Sequence, residues 1–431
     1  MKSKFVKSTI ILMIGGLITK ILGMVIKIIT NRLIGTEGLG VYMLITPTFM
    51  LLIAIAQLGF PIAISKLVAE DKSNNKNLVF STFPITIILN TIIMIILLFS
   101  SNFIAKNLLH DERAINALKC IGFVLPFISI SSILRGYFFG KQRMIPHIIS
   151  NITEDIIRLI TLMIGIPIFL KNGIESAVSF IVLSNIISEI SSILVLFLFL
   201  PKNFKITKKD ITPNKSNVLN ILSISIPTTG SRLIGNIGYF FEPIILTFFL
   251  IRNGYANTYI VNEYGIINGY VMPILLLPSF FTLAISQALI PIVSKSYSDN
   301  NLNYTKSKIK QSILFSCIIG IPATIMFILV PSLPLKIVYG TTKGINYIRA
   351  MSIVCLLYYF QAPLSSSLQA MGKAKDSMNG TIIGVVCRLV ILAIGCNLKI
   401  GLWGLVISTS INIIVVTIYD YIKVRKYLKK T

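Results

Sequence analysis

Acid is scarce in this chain. Its 431 residues carry 15 Asp and Glu against 40 Lys and Arg, a net charge of +25, yet only 13% of all residues are charged. A soluble domain averages about 25%. Histidine is scarcer still: His110 and His147 are the two, both near the ends of apolar stretches, and no catalytic or metal-binding His-acid cluster is read around them. The five cysteines, Cys120, Cys317, Cys355, Cys387 and Cys396, are scattered through apolar runs without C-x-x-C spacing. Buried Cys acts as a small hydrophobe, so neither a disulfide framework nor a metal site is implied. There is no phosphate-cradling glycine loop, no paired aspartates and no nucleophile elbow. These absences argue against an enzyme, against direct ATP drive and against a cofactor.

Apolar length is what the chain has in abundance, 54% of its residues being hydrophobic. About twelve runs are long enough to cross a bilayer, near 8–31, 39–64, 79–104, 117–139, 148–170, 177–200, 218–250, 264–292, 311–333, 347–371, 379–397 and 401–422. Lipid offers the backbone no hydrogen bonds, so the spans must be helices, and the expected class is an all-α membrane protein. The start could pass for a signal peptide, but Lys20 interrupts its apolar region and no small-residue cleavage site follows, so an uncleaved first span is expected.

In a soluble chain this basic surplus would suggest nucleic acid. Here topology explains it, and no nucleic-acid partner is expected. With the N-terminus in the cytoplasm, inner segments hold 25 Lys and Arg and outer loops ten, as the positive-inside rule requires. Both termini are then cytoplasmic.

The remaining five cations lie inside apolar stretches: Lys20, Lys27, Arg158, Arg232 and Arg388. Four acids are comparably placed: Glu154, Asp155, Glu189 and Glu242. A cation at mid-span costs about 2.5–3.5 kcal/mol on insertion scales. A water-filled, net-cationic cavity for an anion such as a phosphate is the expectation, with the five cations as substrate-binding candidates and the four acids as charge-pair or coupling candidates.

Lys20 and Lys27 are two helical turns apart and share a face with Gly16 and Gly23. The plainer alternative for both is snorkelling to an interface. Glu154 and Arg158, four apart, can form a structural ion pair, or Arg158 can exchange its acid for a substrate anion. Arg232 and Glu242 lie ten apart on nearly one face of a span interrupted by Pro227, Gly230, Gly235, Gly238 and Pro243. Arg388 reads as a lone cation. Glu189 is a candidate proton or cation site.

The two halves repeat. Gln57, Pro61, Ser65 and Lys66 match Gln287, Pro291, Ser294 and Lys295. Ser131, Gly140 and Lys141 match Ser365, Gly372 and Lys373. Arg158 followed by Leu-Ile matches Arg388 followed by Leu-Val. All three matches are offset by six spans, as in transporters built from parallel repeats. Two six-helix lobes, 1–200 and 218–431, joined by a cytoplasmic linker at 201–217, are expected.

The stretch from Gly15 through Lys20, Gly23 and Asn31 to Tyr42, with Gln57 to Lys66, Arg135 to Gly140 and Glu154 to Arg158, resembles the polysaccharide-exporter and stage V sporulation protein B group of the multidrug/oligosaccharidyl-lipid/polysaccharide flippase superfamily. The resemblance implies two pseudo-symmetric six-helix bundles. In the related lipid II flippases, basic residues of helix 1 and the central cavity bind a pyrophosphate. Lys20 matches the helix-1 position, and Lys27 is shifted by about one residue. Those relatives have fourteen spans, the last two forming a groove for the lipid tail. About twelve are counted here, a departure that bears on the groove and on lipid II as cargo.

The resulting expectation is a flippase in the bacterial cytoplasmic membrane. It would move an undecaprenyl-diphosphate-linked glycan or peptidoglycan precursor by alternating access, with membrane lipids around it and Na or H as the conceivable coupling ion. A multidrug-cation antiporter of the same superfamily would need a cavity dominated by acids. A polyprenyl-linked glycosyltransferase would need a catalytic acid cluster at a loop edge.

Overall fold

Helix is the regular structure throughout the described residues, as lipid demands of a backbone that finds no water. The computed structural model describes residues 2–70, 75–80, 82–141, 143–200, 212 and 215–429. The chain divides into two units, Met1–Phe240 and Phe241–Thr431. Most of the expected linker lies outside the described residues. The division itself falls further on, inside one long helix.

The first unit holds α1 (Lys2–Ala56), α2 (Phe60–Glu70), α3 (Asn75–Phe80) and α4 (Thr82–Phe103). It continues with α5 (Ile115–Gly140), α6 (Met144–Leu170), α7 (Ile174–Leu198) and the start of α8 (Lys215–Arg252). The second unit takes the end of α8, then α9 (Asn257–Gly265), α10 (Met272–Leu275), α11 (Ser279–Ser298) and α12 (Leu302–Leu329). Its remaining helices are α13 (Ser332–Tyr339), α14 (Ile345–Ala370), α15 (Ala374–Asn397) and α16 (Trp403–Leu428).

Among the described residues nine helical segments are long and apolar enough to cross a membrane, against the twelve runs read from the sequence. The shortfall has three local causes. The first two runs are two helices that follow each other through Gly35, whose φ of 73° and ψ of 178° are not helical, and they count together as one segment, Ile18–Ala69. The run on α6 carries Glu154, Asp155 and Arg158 together. The run at 264–292 is divided by the π-helical stretch Ile266–Val271 and a turn at 276–278. Conversely, the run expected to be broken by prolines and glycines is one continuous helix of 38 residues, α8. In a membrane no water competes for the freed backbone groups, and helices persist through such residues.

Several helices are inverted relative to those of soluble proteins. On α4 the buried positions include Thr82, Thr86, Asn90 and Ser101. Ile88, Ile92, Ile95, Ile96 and Phe99 are exposed. Thr86 donates to the Thr82 carbonyl at 2.8 Å, and Asn90 donates to Ser129 of α5 at 3.3 Å. The hydroxyl and amide donors named here are thus bonded inside while the apolar coat faces outward, where lipid lies.

Each unit has a buried core of its own. In the first, Phe60, Ile64 and Val68 of α2 pack with Leu134 and Phe138 of α5, and Ile221 of α8 joins them. In the second, Leu289 and Val293 of α11 pack with Ile309, Leu364, Leu368 and Val424. The motif stretches around Pro61 and Gly136 meet here. A Cβ at Gly136 would stand 2.6 Å from the Pro61 carbonyl oxygen, and one at Gly140 2.7 Å from that of Ser65. Small residues four apart let α2 lie directly on the α5 backbone. The second unit does not copy this detail. Gly372, matched to Gly140 by sequence, is a left-handed turn residue with φ of 75° and open space at its Cβ position. Pro291 and Gln287 have side chains outside the described residues.

Candidate functional site

In the first unit a cavity of about 170 Å³ opens among α1, α6 and α7. Lys27 and Asn31 reach it from α1, Asp155 and Arg158 from α6, and Ser184 and Asn185 from α7. Its position follows from local sequence. Gly16 and Gly23 leave the Lys20–Lys27 face of α1 open, with nothing within 4 Å of a Cβ at either. Glycine here makes room along the helix face, not for close helix packing. Lys27 is exposed within that space, and Lys20, on the same face, is exposed as well.

Behind the cavity wall lies a charge network. Arg158 Nη2 donates to Glu154 Oε1 at 2.5 Å, and its Nε donates to Ser188 at 3.3 Å. Glu154 Oε2 accepts from Arg135 of α5. The same Arg135 nitrogen donates to Ser192 at 2.7 Å and lies 3.5 Å from Glu189 Oε2. Glu189 in turn accepts from the Ser131 hydroxyl. Glu154 thus bridges two guanidinium groups, and Arg135 bridges two carboxylates, tying α5, α6 and α7 together. Charge-assisted bonds of this kind are about twice as strong as neutral ones.

Arg135 is a site residue that the sequence pattern did not single out. It stands within α5, its side chain 19% exposed, although its place near the end of a run had put it with the inner flank. Its signal was present all the same, a base flanked by Ile-Leu and Gly-Tyr inside the motif stretch. Including it, the acids of the first unit face nearly as many bases; Lys27 adds a further cation at the cavity, and Lys20, on the same face of α1, is not among its lining.

The other candidates lie elsewhere. Arg232 of α8 is exposed and lines no part of this cavity. The anticipated same-face relation of Arg232 and Glu242 does not make a pair. Glu242 is 0% exposed, and it is paired with Arg388 of α15. Tyr264 of α9 donates to its other oxygen at 3.1 Å. Arg388 is therefore not a lone cation: a fully buried carboxylate takes a counter-charge or a proton, and Arg388 is the counter-charge of Glu242. The five cations do not gather on one cavity within either unit. Lys27 and Arg158 share one, and Arg388 belongs to a buried pair in the second unit. Also missed was Asp420 of α16, fully buried and receiving a hydrogen bond from Ser365 of α14. Among the described residues no group of three or more His, Cys, Asp or Glu could hold a metal.

Residues 5–297 match the family model described as polysaccharide biosynthesis protein. The chain belongs to that family. Residues 243–394 also match the MatE family model. Stage V sporulation protein B of Bacillus subtilis (strain 168) is 36% identical over 440 residues, which cover 99% of this chain and 85% of that protein. Lipid II flippase MurJ of the same organism is 24% identical over 472 residues, covering 99% and 84%. An inward-facing multidrug resistance MATE family transporter of the MOP superfamily shares the fold with a TM-score of 0.80, covering 96% of both chains at 20% identity. This member of the family is thus a multi-pass membrane transporter in the polysaccharide-exporter and stage V sporulation protein B group of the flippase superfamily, not an enzyme. The all-α membrane class expected from hydropathy holds.

Proposed function

We propose that the protein flips an undecaprenyl-diphosphate-linked glycan or peptidoglycan precursor across the cytoplasmic membrane by alternating access, with both termini in the cytoplasm. The observation that carries this reading is the open cavity among apolar helices where Lys27 and Arg158 stand together. A pyrophosphate crossing hydrocarbon bare would lose its hydration at prohibitive cost. Lys27 supplies a mobile point charge and Arg158 a planar fork suited to phosphate oxygens. In the present state Arg158 is held by Glu154 at 2.5 Å, so substrate binding would be an exchange of one anion for another on the same guanidinium. Similarity to a stage V sporulation protein and a lipid II flippase supports a cell-envelope cargo. A cationic-drug antiporter is less suited to a cavity lined by Lys27 and Arg158 against one acid, Asp155.

Two experiments test the reading. Native mass spectrometry of the purified protein should find a co-purifying polyprenyl-diphosphate lipid. In proteoliposomes, Lys27→Ala and Arg158→Ala should each slow flipping of such a lipid about ten- to hundredfold, the loss of one charge-assisted bond of about 1.5–3 kcal/mol. Normal flipping by both folded variants would overturn it.

A further inference from the structure

The repeat extends to a feature that the sequence matches did not include. In the first unit the Ser131 hydroxyl of α5 donates to Glu189 of α7. In the second unit the Ser365 hydroxyl of α14, matched to Ser131, donates to Asp420 of α16. A serine on the fourth helix of each repeat thus clamps a carboxylate on the sixth. Surroundings, not geometry, separate the two clamps. Beside Glu189 stands Arg135, 3.5 Å away and four residues after Ser131. Four residues after Ser365 the chain has Gln369, which is exposed.

Asp420 is 0% exposed. Its Oδ1 is buried and has no hydrogen-bond partner, and no ion pair reaches it among the described residues. The titratable groups at this end of α15 and α16 are turned elsewhere. Lys423 Nζ lies 2.8 Å from Asp376 and 5.3 Å from the centre of the Tyr419 ring. Tyr427 donates to Asp376, and Lys373 lies over the Tyr427 ring. Lys375 is exposed. A bare carboxylate does not persist in such a place; it takes a counter-charge or a proton. The first unit shows the counter-charge solution, and the second has no cation to apply it among the described residues.

We propose that Asp420, with Ser365, is a proton-binding site of the second unit, the proton standing where the repeat-related clamp has an arginine. A carboxyl and one hydroxyl suffice for a proton, whereas a metal cation would need several more oxygens. Gly380 of α15 faces Oδ1, where a Cβ in place of the glycine hydrogen would come to 3.0 Å, so this oxygen lies against a close helix crossing. Releasing the proton would leave an unpaired charge in that crossing. The charge could be retained only if the helices parted enough to admit water. A proton thus acts on the packing of α14, α15 and α16. The site is independent of the identity of the cargo.

The test is infrared spectroscopy of the purified full-length protein in lipid bilayers. At neutral pH the wild type should show the carbonyl stretch of a buried protonated carboxylic acid. Asp420→Asn should remove that component, and Ser365→Ala, which keeps the acid, should shift it in frequency. Exchange of potassium for sodium at constant pH should leave it in place. The proposal is overturned if the band is missing from the wild type, if it survives in Asp420→Asn, or if sodium abolishes it. Should Asp420→Asn fail to fold, Ser365→Ala decides: an unshifted band would place the proton on some other group and overturn the proposal.

Discussion

The two units solve one problem, how to keep acids inside a membrane protein, by different means. In the first, Glu154 and Glu189 share Arg135 and Arg158 in a chain of pairs with access to an open cavity. In the second, Glu242 is sealed with Arg388, and Asp420 has a hydroxyl alone. The first arrangement is shared, so no single bond is indispensable, and one of its guanidinium groups, that of Arg158, lines the cavity. The second is pairwise: Glu242 is fully buried and takes Arg388, whose side chain is 20% exposed, as its one cation. Glu189 and Asp420, each bonded by a serine, differ in their counter-charge, while Glu154 and Glu242 stand on helices that the sequence matches do not relate.

The largest effect should come from breaking the Glu242–Arg388 pair. Glu242→Ala takes the carboxylate from Arg388, whose side chain is 20% exposed, and should cost about 3 kcal/mol, the lower end for a broken buried pair. Glu154→Ala, whose two arginines keep Glu189 and solvent nearby, should cost clearly less. Thermal unfolding of both variants in one detergent measures this, and equal losses would erase the distinction between units. Next comes the backbone crossing. Gly136→Ala puts a Cβ against the Pro61 carbonyl and should cost about 1–3 kcal/mol. Ala370→Gly, at the matching place in the second unit, should cost about 1 kcal/mol or less, a propensity effect. If Gly136→Ala proves as mild as Ala370→Gly, the two crossings are built alike.

Smaller in stability but sharper in meaning are the exchanges of counter-charge. Arg135→Gln gives the first clamp the residue found in the second, and Glu189 should then acquire a protonated-acid carbonyl band. Gln369→Arg does the reverse, and the band assigned to Asp420 should weaken or vanish. Spectra unchanged by both substitutions would show that these positions do not set the charge state of the clamps.

Hydropathy made the helical class legible, because an apolar run of span length leaves the backbone no other choice. Lys27, Arg158 and the Glu154 pair were legible too: a charge in mid-run is conspicuous, and an i,i+4 relation is local. Arg135 and Asp420 were not, since each stands near the end of its run and reads as the polar flank of a span. The partner of Arg388 lies on a helix remote in sequence, and no local spacing signals it. The turn at Gly35 and the break at 266–278 were hidden for a similar reason. Hydropathy reports where lipid is, not where the helix axis bends.

The inverted α4 separates two kinds of information on one helix. Asn90, bonded to Ala56 and Ser129, ties the helix to its neighbours, while Ile88, Ile92, Ile95, Ile96 and Phe99 present the surface that meets the medium. The outward set could be rewritten wholesale without changing a single internal contact. A version of this helix with glutamate and lysine at those five positions would keep its address within the unit and change its solvent from lipid to water.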